Sequence, residues 1–222
     1  MEISAEEIKK RAYALKDQIT RDRRHLHQIP EIGTELPETS AYIKKRLDEM
    51  GIPWKDCGGP LPVKMTDDFV EAGFPRMEKE TGVTAVIGHG SPCILLRADM
   101  DALPVREDND LEYKSCNGAG HMCGHDSHAA MLLGAAQILK DMEDELKGSV
   151  KLMFQPGEET GAGARIMVEN GALTHPQVDA AFGLHVQSTD ETGKIGYAVG
   201  VNSASLDTFI LKIHGRGGHS SQ

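Results

Sequence analysis

The chain has 222 residues, of which 39% are hydrophobic, so it can form the core of one large domain or of one domain and part of another. Its formal net charge of −10, without a basic stripe, argues against nucleic-acid binding, and no stretch reaches the roughly 18 apolar residues of a membrane span. The charged N-terminus lacks the apolar core of a signal peptide, and four cysteines are too few for a disulfide scaffold, which together predict a cytoplasmic protein with reduced thiols.

The predicted elements alternate between helix and strand. A capping box of Ser4 and Glu7 begins a helix that ends before Pro30, and a second helix is predicted over about Thr39–Met50. Residues 58–82 are predicted to form an irregular loop with at most a short helix. Further strands are predicted at Val83–Gly88, Cys93–Ala98, Val150–Phe154 and Ala180–Leu184, and further helices at about His128–Met142 and Ala162–Asn170. This alternation indicates an α/β fold with a mostly parallel sheet flanked by helices.

A change in sequence texture at Gly193–Ala204 predicts a domain boundary. Residues 1–200 would form the first domain, and residues 201–222 would begin a second one. Partial alternation of apolar side chains over Asp207–His214 predicts that the second domain starts with a strand.

Four polar clusters lie where predicted strands end or a predicted helix begins, which is where α/β sheets collect functional residues. They are RADMDALP (97–104), HMCGHDSH (121–128), QPGEETG (155–161) and the single residue His185. Each has an ordinary explanation: a capped turn, a helix cap beside an inert cysteine, a surface acidic pair and a core histidine. The density of thiol and imidazole groups in 121–128 exceeds what a helix cap needs, and it therefore favours a metal site.

Nitrogen, oxygen and sulfur donors together suit Zn²⁺, Mn²⁺, Co²⁺ or Ni²⁺ better than Ca²⁺. Glu158 and Glu159, expected on an extended segment, would point to opposite sides, so that one binds metal and the other faces bound water. The partial charge at the start of the following helix favours a thiolate at Cys123. A shared anionic ligand with two carboxylates suggests two ions about 3.5–4 Å apart, an arrangement used for hydrolysis.

The chain resembles the amidohydrolases of the M20 metallopeptidase family, in the branch of aminoacylases, hippurate hydrolases and indole-acetyl-amino-acid hydrolases. The matching segments, in the family's order, are RRHLHQIPEIGTE (23–35), RADMDALPV (97–105), HMCGHDSHAAMLLGAA (121–136), LMFQPGEETGAGA (152–164), FGLHV (182–186) and GRGGHSS (215–221). The resemblance implies metal-dependent cleavage of amide bonds in N-acyl amino acids or similar small amides. It also implies a ferredoxin-like lid domain that makes the full-length protein a homodimer.

The resemblance further implies roles for individual residues. Cys123 would bridge two divalent ions, and His125, Glu159 and His185 would be their other ligands. Glu158 would be the general base.

Three more positions follow from the same resemblance. Asp101 would support the site, and His219 would reach a neighbouring subunit's site to hold the substrate or the oxyanion. Asp99 falls where many relatives have a metal-binding histidine, which leaves its role open.

The end of the chain departs from the family, which continues through the lid and returns to the catalytic domain with one more metal-binding histidine. We therefore expect a fragment of a longer enzyme or a truncated product. The alternative function is a degenerate metal-binding scaffold without activity. A third possibility is a structural zinc module built on Cys116, His121, Cys123 and His125.

Overall fold

The structure is a computed structural model that describes residues 4–201, 209 and 211–218. The helices in this part of the chain are α1 (Ala5–Ala14), α2 (Lys16–Gln28), α3 (Pro37–Glu49), α4 (Val63–Glu71), α5 (His125–Asp141) and α6 (Gly163–Glu169). The strands are β1 (Trp54–Asp56), β2 (Val83–Gly88), β3 (Cys93–Asp99), β4 (Ser149–Gln155) and β5 (Ala180–Gly183). None of the described helices combines the length and the apolar character needed to cross a bilayer.

The five strands form one sheet in the order β1-β2-β4-β3-β5. β3 lies parallel to both of its neighbours, β4 and β5, whereas β2 is antiparallel to both of its neighbours, β1 and β4. Four strands therefore share one direction and β2 runs against them. Only residues 89–92 join β2 to β3, too few for the crossover that a parallel pair requires, so the chain reverses there. The predicted α/β class is confirmed, with a mixed sheet.

Local sequence patterns predicted most of the helices and strands, but not all of them. The predicted first helix is present as two segments divided at Leu15, whose N–H still bonds to the carbonyl of Arg11. The predicted cap is formed, because the Ser4 hydroxyl accepts a hydrogen bond from the Glu7 N–H at 3.2 Å. The segment predicted as an irregular loop contains one short helix, α4, as the prediction allowed. β1 was missed because its three residues show no alternation of buried and exposed side chains.

Both faces of the sheet are covered by helices. Leu152 and Phe154 of β4 pack in the main core with side chains from α2, α3 and α5. On the opposite face, Leu95 of β3 and Met153 of β4 pack against Met167 of α6. This alternation along β4 places a helix layer on each side of the sheet and leaves the strand ends open for polar groups.

Of the predicted second domain, residues 201–222, the structure describes residues 201, 209 and 211–218. Of the predicted strand Asp207–His214, the described residues 209 and 211–214 are not in a strand, and their large apolar side chains are more than 80% exposed. A strand needs a neighbour, and the described part of the chain places none there. His219 lies outside the described residues. The domain boundary near residue 200 stays a prediction.

Candidate metal centre

The candidate site lies at the edge of the sheet where β3, β4 and β5 end. Because these three strands are parallel, their carboxyl ends meet at the same edge. The polar residues that close or follow the strands are Asp99, Asp101, Glu158, Glu159 and His185, and α5 begins among them at His125. The fold thus brings together residues that are up to 86 positions apart in the chain.

Gly124 allows Cys123 and His125 to face the same site from either side of it. Its φ of +82° lies in the left-handed region, which side chains other than glycine rarely adopt. A Cβ atom at this position would lie 2.4 Å from Cγ2 of Val186. Both the backbone conformation and the close packing therefore require glycine here.

His125 lies at the centre of the cluster with its ring 1% exposed. Its Nδ1 lies 3.3 Å from Oδ1 of Asp101. Its Nε2 faces three other carboxylates, with Asp99 at 3.7 Å, Glu159 at 3.8 Å and Glu158 at 3.9 Å. Burial lowers the pKa of His125, but the Asp101 hydrogen bond and the surrounding carboxylate charges outweigh it and raise the pKa. Nδ1 is thus held by Asp101 while Nε2 faces an acidic space.

Glu158 and Glu159 do not point to opposite sides, so that expectation was wrong. They lie in a turn after β4, bordered by Gly157 and Gly161, which both have positive φ. In the turn, both carboxylates approach Nε2 of His125. Burial, followed by the charge of Glu158, raises the pKa of Glu159. Two carboxylates that face one space repel each other unless a cation lies between them.

Cys123 and His185 form the more exposed side of the site. Sγ of Cys123 lies 3.4 Å from Nε2 of His185, whose Nδ1 donates to the backbone carbonyl of Val186 at 2.7 Å. Burial, followed by the carboxylate of Glu159, raises the pKa of the Cys123 thiol to about 11. The helix start alone therefore does not produce the expected thiolate. A divalent cation reverses this, because a coordinating thiol is deprotonated outright.

Three buried atoms of the cluster lack a hydrogen-bond partner; one, Oδ2 of Asp99, is paired with Arg97 as an ion pair, and the other two identify where a cation fits. These two are Nε2 of His125 and Oε1 of Glu159, 3.8 Å apart. An unpaired buried polar atom costs about 1–3 kcal/mol, and a cation bound to both removes that cost. Two sets of residues each bring their ligand atoms within 4.8 Å of one another: Cys123 with His125 and His185, and His125 with Glu158 and Glu159. These donor types suit a divalent transition metal.

A third set, Asp99 with His125 and His128, meets the same distance criterion but is already engaged. Nδ1 of His128 lies 2.5 Å from Oδ1 of Asp99, and Nε2 of His128 accepts from the Val186 N–H at 2.9 Å. Nη1 of Arg97 lies 2.8 Å from the other oxygen of Asp99. Although burial opposes it, these contacts lower the pKa of Asp99. The role of Asp99 was left open and His128 was assigned none, although the HDSH spacing places His128 one turn after His125.

The alternative zinc module is not formed. Cys116 is exposed, and its Sγ contacts the carbonyl of Lys114. His121 is buried with neither ring nitrogen hydrogen-bonded, and burial lowers its pKa to about 4. Within residues 4–201, 209 and 211–218, neither residue belongs to a set of possible metal ligands. All four cysteines are free, as predicted.

A second polar cluster adjoins the start of α5 and was not predicted. It consists of Arg23, His27, Glu107 and Asp126, and we call it the His27 cluster. Nδ1 of His27 lies 2.7 Å from Asp126 and Nε2 lies 2.8 Å from Glu107, while Nε of Arg23 lies 2.8 Å from Asp126. Since carboxylates accept, both ring nitrogens carry protons, and the Asp126 hydrogen bond raises the pKa of His27. The partners are 80 and 99 positions from His27, too far for any local pattern.

Comparison with known proteins gives one consistent result. Residues 95–218 match Peptidase family M20/M25/M40. The chain is 43% identical over 210 residues to an N-acetyl-L-cysteine deacetylase of Bacillus subtilis, with 93% of this chain and 45% of the relative covered. It is 43% identical over 201 residues to an IAA-amino acid hydrolase of Arabidopsis thaliana, with 90% and 41% covered.

The fold agrees with this result. It is similar, with a TM-score of 0.65 and 36% identity, to the crystal structure of the YXEP protein of Bacillus subtilis, described as a dinuclear metal-binding peptidase from the M20 family. The similarity covers 80% of this chain and 45% of that one. The chain spans about half the length of the curated relatives that it matches.

Proposed function

Because the chain belongs to Peptidase family M20/M25/M40, we propose that the protein is a metal-dependent hydrolase of amide bonds in N-acyl amino acids or similar small amides. The observation that carries this proposal is the pair of unpartnered buried atoms, His125 Nε2 and Glu159 Oε1, inside a ring of carboxylates. The relatives named for N-acetyl-cysteine and for IAA-amino acids support the substrate class, since both are named for amino acids carrying an acyl group.

Cys123, His125, Glu159 and His185 would hold two divalent ions, drawn from Zn²⁺, Mn²⁺, Co²⁺ and Ni²⁺. Cys123 would bridge the ions, in keeping with the relative described as dinuclear. Bound ions of this kind lower the pKa of water and polarise a carbonyl. Asp101 supports the set through two contacts, since one oxygen lies 3.3 Å from His125 Nδ1 and the other accepts from the Glu159 N–H at 3.0 Å.

Glu158 is the proposed general base. Its side chain is 42% exposed, so it can meet a water molecule and a substrate, and its Oε2 lies 3.9 Å from His125 Nε2. The carboxylate would accept a proton from the attacking water and return it to the nitrogen of the leaving amine. Its neighbour Glu159 is less exposed and closer to Cys123, which suits a ligand better than a proton carrier.

The remaining roles also belong to the proposal. His219 would hold the substrate or the oxyanion in the site of a second subunit, within a homodimer that acts in the cytoplasm. Residues 201–222 would begin the lid domain that brings the subunits together.

The test is Glu158→Gln in the intact enzyme, with N-acetyl amino acids as substrates. Loss of a general base is expected to lower kcat by about 10²–10⁴-fold, with the metal content unchanged by elemental analysis. Glu145→Gln is the matched control, because Glu145 is exposed near the start of β4, at the opposite end of the strand from the site. Near-normal turnover of Glu158→Gln would contradict the assignment. A wild-type protein with at most one ion and no chelator-sensitive hydrolysis would favour the degenerate scaffold instead.

A further inference from the structure

The backbone that carries His185 is weakly fixed by the sheet. β5 ends at Gly183, two residues before His185. In the described part of the chain, the N–H groups of residues 184–186 donate one hydrogen bond, from Val186 to Nε2 of His128 at 2.9 Å. The ring of His185 is exposed, and its Nδ1 bonds only to the carbonyl of the next residue. The orientation of His185 therefore depends on where Val186 is held.

His128 is buried, and both nitrogens of its ring are held by contacts. A backbone N–H can only donate, so Nε2 of His128 must accept and its ring proton lies on Nδ1. That proton is donated to Asp99, 2.5 Å away, and Arg97 holds the other oxygen of Asp99 at 2.8 Å. Nε of Arg97 in turn donates to Gln155, the last residue of β4. A continuous chain of contacts thus runs from the ends of β3 and β4, through α5, to the residue after His185.

From this chain of contacts we propose that His128 is a positioning residue that sets the orientation of the His185 imidazole by holding the Val186 N–H. The inference rests on the proposed function, in which His185 is a metal ligand. The rings of His128 and His185 also pack edge to face, with centroids 4.6 Å apart. His128 itself does not bind the ion, because both of its ring nitrogens are engaged.

Two substitutions separate this role from a merely structural one. In His128→Gln the side-chain amide oxygen takes the place of Nε2, so the Val186 N–H keeps its acceptor while the Asp99 contact is lost. In His128→Asn the amide nitrogen takes the place of Nδ1, so the Asp99 contact is kept while Val186 loses its acceptor. A purely structural role, in which burial and the Asp99 contact matter most, predicts the smaller effect for Asn.

The experiment measures Co²⁺ affinity, followed by the thiolate-to-metal charge-transfer absorption of Cys123, and hydrogen exchange of the Val186 amide by NMR. Loss of a residue that orients a metal ligand typically weakens metal binding by about 10–100-fold. We expect a loss in that range for His128→Asn, with fast exchange at Val186. For His128→Gln we expect a loss of less than about threefold, with slow exchange as in the wild type.

Equal losses of affinity in the two variants, or a larger loss in His128→Gln, would overturn the inference. So would fast exchange of the Val186 amide in the wild type, because the hydrogen bond would then be absent. A wild-type protein that binds no Co²⁺ contradicts the proposed function instead, and the exchange pattern of Val186 still decides whether His128 holds that backbone.

Discussion

The two polar clusters on either side of the start of α5 both contain histidine and carboxylates. They differ in whether the imidazole nitrogens are paired with those carboxylates. In the His27 cluster, each imidazole nitrogen lies within 2.8 Å of a carboxylate. In the metal centre, His125 Nε2 lies 3.7–3.9 Å from three carboxylates and bonds to none of them. The neighbouring residues His125 and Asp126 send their side chains into different clusters. The contrast shows that histidine and carboxylates alone do not identify a candidate ligand site, and that unpartnered buried atoms of several donor residues facing one another are a more specific signal.

The largest effect on stability is expected from disrupting the His27 cluster. His27→Ala leaves the buried carboxylates of Glu107 and Asp126 without their shared partner, and removing one partner of a buried ion pair costs about 3–5 kcal/mol. Urea unfolding measures this as a lower midpoint. The control is Lys64→Ala, which removes an exposed pair with Asp68 and should cost about 0–1 kcal/mol. If both variants unfold at the same midpoint, the His27 cluster is not a stability element.

An intermediate effect on stability is expected from binding a divalent ion at the candidate metal centre. A divalent ion that binds the folded protein at 100 times its Kd stabilises it by about 2.7 kcal/mol, seen as a rise in Tm that a chelator reverses. Cys123→Ser should abolish most of the rise because it removes a proposed ligand. Cys116→Ser should keep it, because Cys116 is exposed outside the metal centre. A rise that survives in Cys123→Ser but not in Cys116→Ser would place the ion elsewhere.

The smallest effect on stability is expected from protonating one carboxylate of the His27 cluster, that of Glu107. Burial opposes ionisation of Glu107, but hydrogen bonds from His27, the Ser115 N–H and Asn109 outweigh it and lower the pKa to about 2. A lowered pKa means that the contribution of Glu107 is present above its ordinary value of 4.5 and is lost as the pH falls from there towards 2.

This prediction is checked by urea unfolding of the wild type and of His27→Gln between pH 6 and pH 3. The difference in unfolding free energy between them should shrink below about pH 4.5. The raised pKa of His27 acts in the other direction, since its contribution is lost only as the pH rises through a value above 6.5. A difference in unfolding free energy that stays constant down to pH 3 would show that the pKa of Glu107 does not depend on His27.

Much of the fold followed from local patterns in the sequence. The strands at residues 83–88, 93–99 and 149–155 are apolar runs bounded by turn residues, and they were predicted within one residue at each end. The order of the strands was not predicted, because β4 enters between β2 and β3 through pairings that span more than 50 residues. No local signal encodes such a pairing.

The grouping of the candidate metal ligands was predicted better than the contacts that support them. Cys123 and His125 are close in sequence and dense in donor atoms, so their type and spacing are informative. The supporting contacts of His128 and His27 depend on residues 29–99 positions away, and each histidine alone resembles an ordinary core residue. The error about Glu158 and Glu159 arose because an extended backbone was assumed where the chain forms a turn.

The sequence separations in these clusters also set an order of events during synthesis. Asp126 is made 99 residues after His27, a delay of roughly 5–20 s at about 5–20 residues per second. His185 follows Cys123 by another 62 residues. On the ribosome, the His27 cluster can therefore assemble while the candidate metal site still lacks His185. A nascent chain exposes its free thiol and imidazoles to cellular ions before Glu158, Glu159 and His185 have been translated.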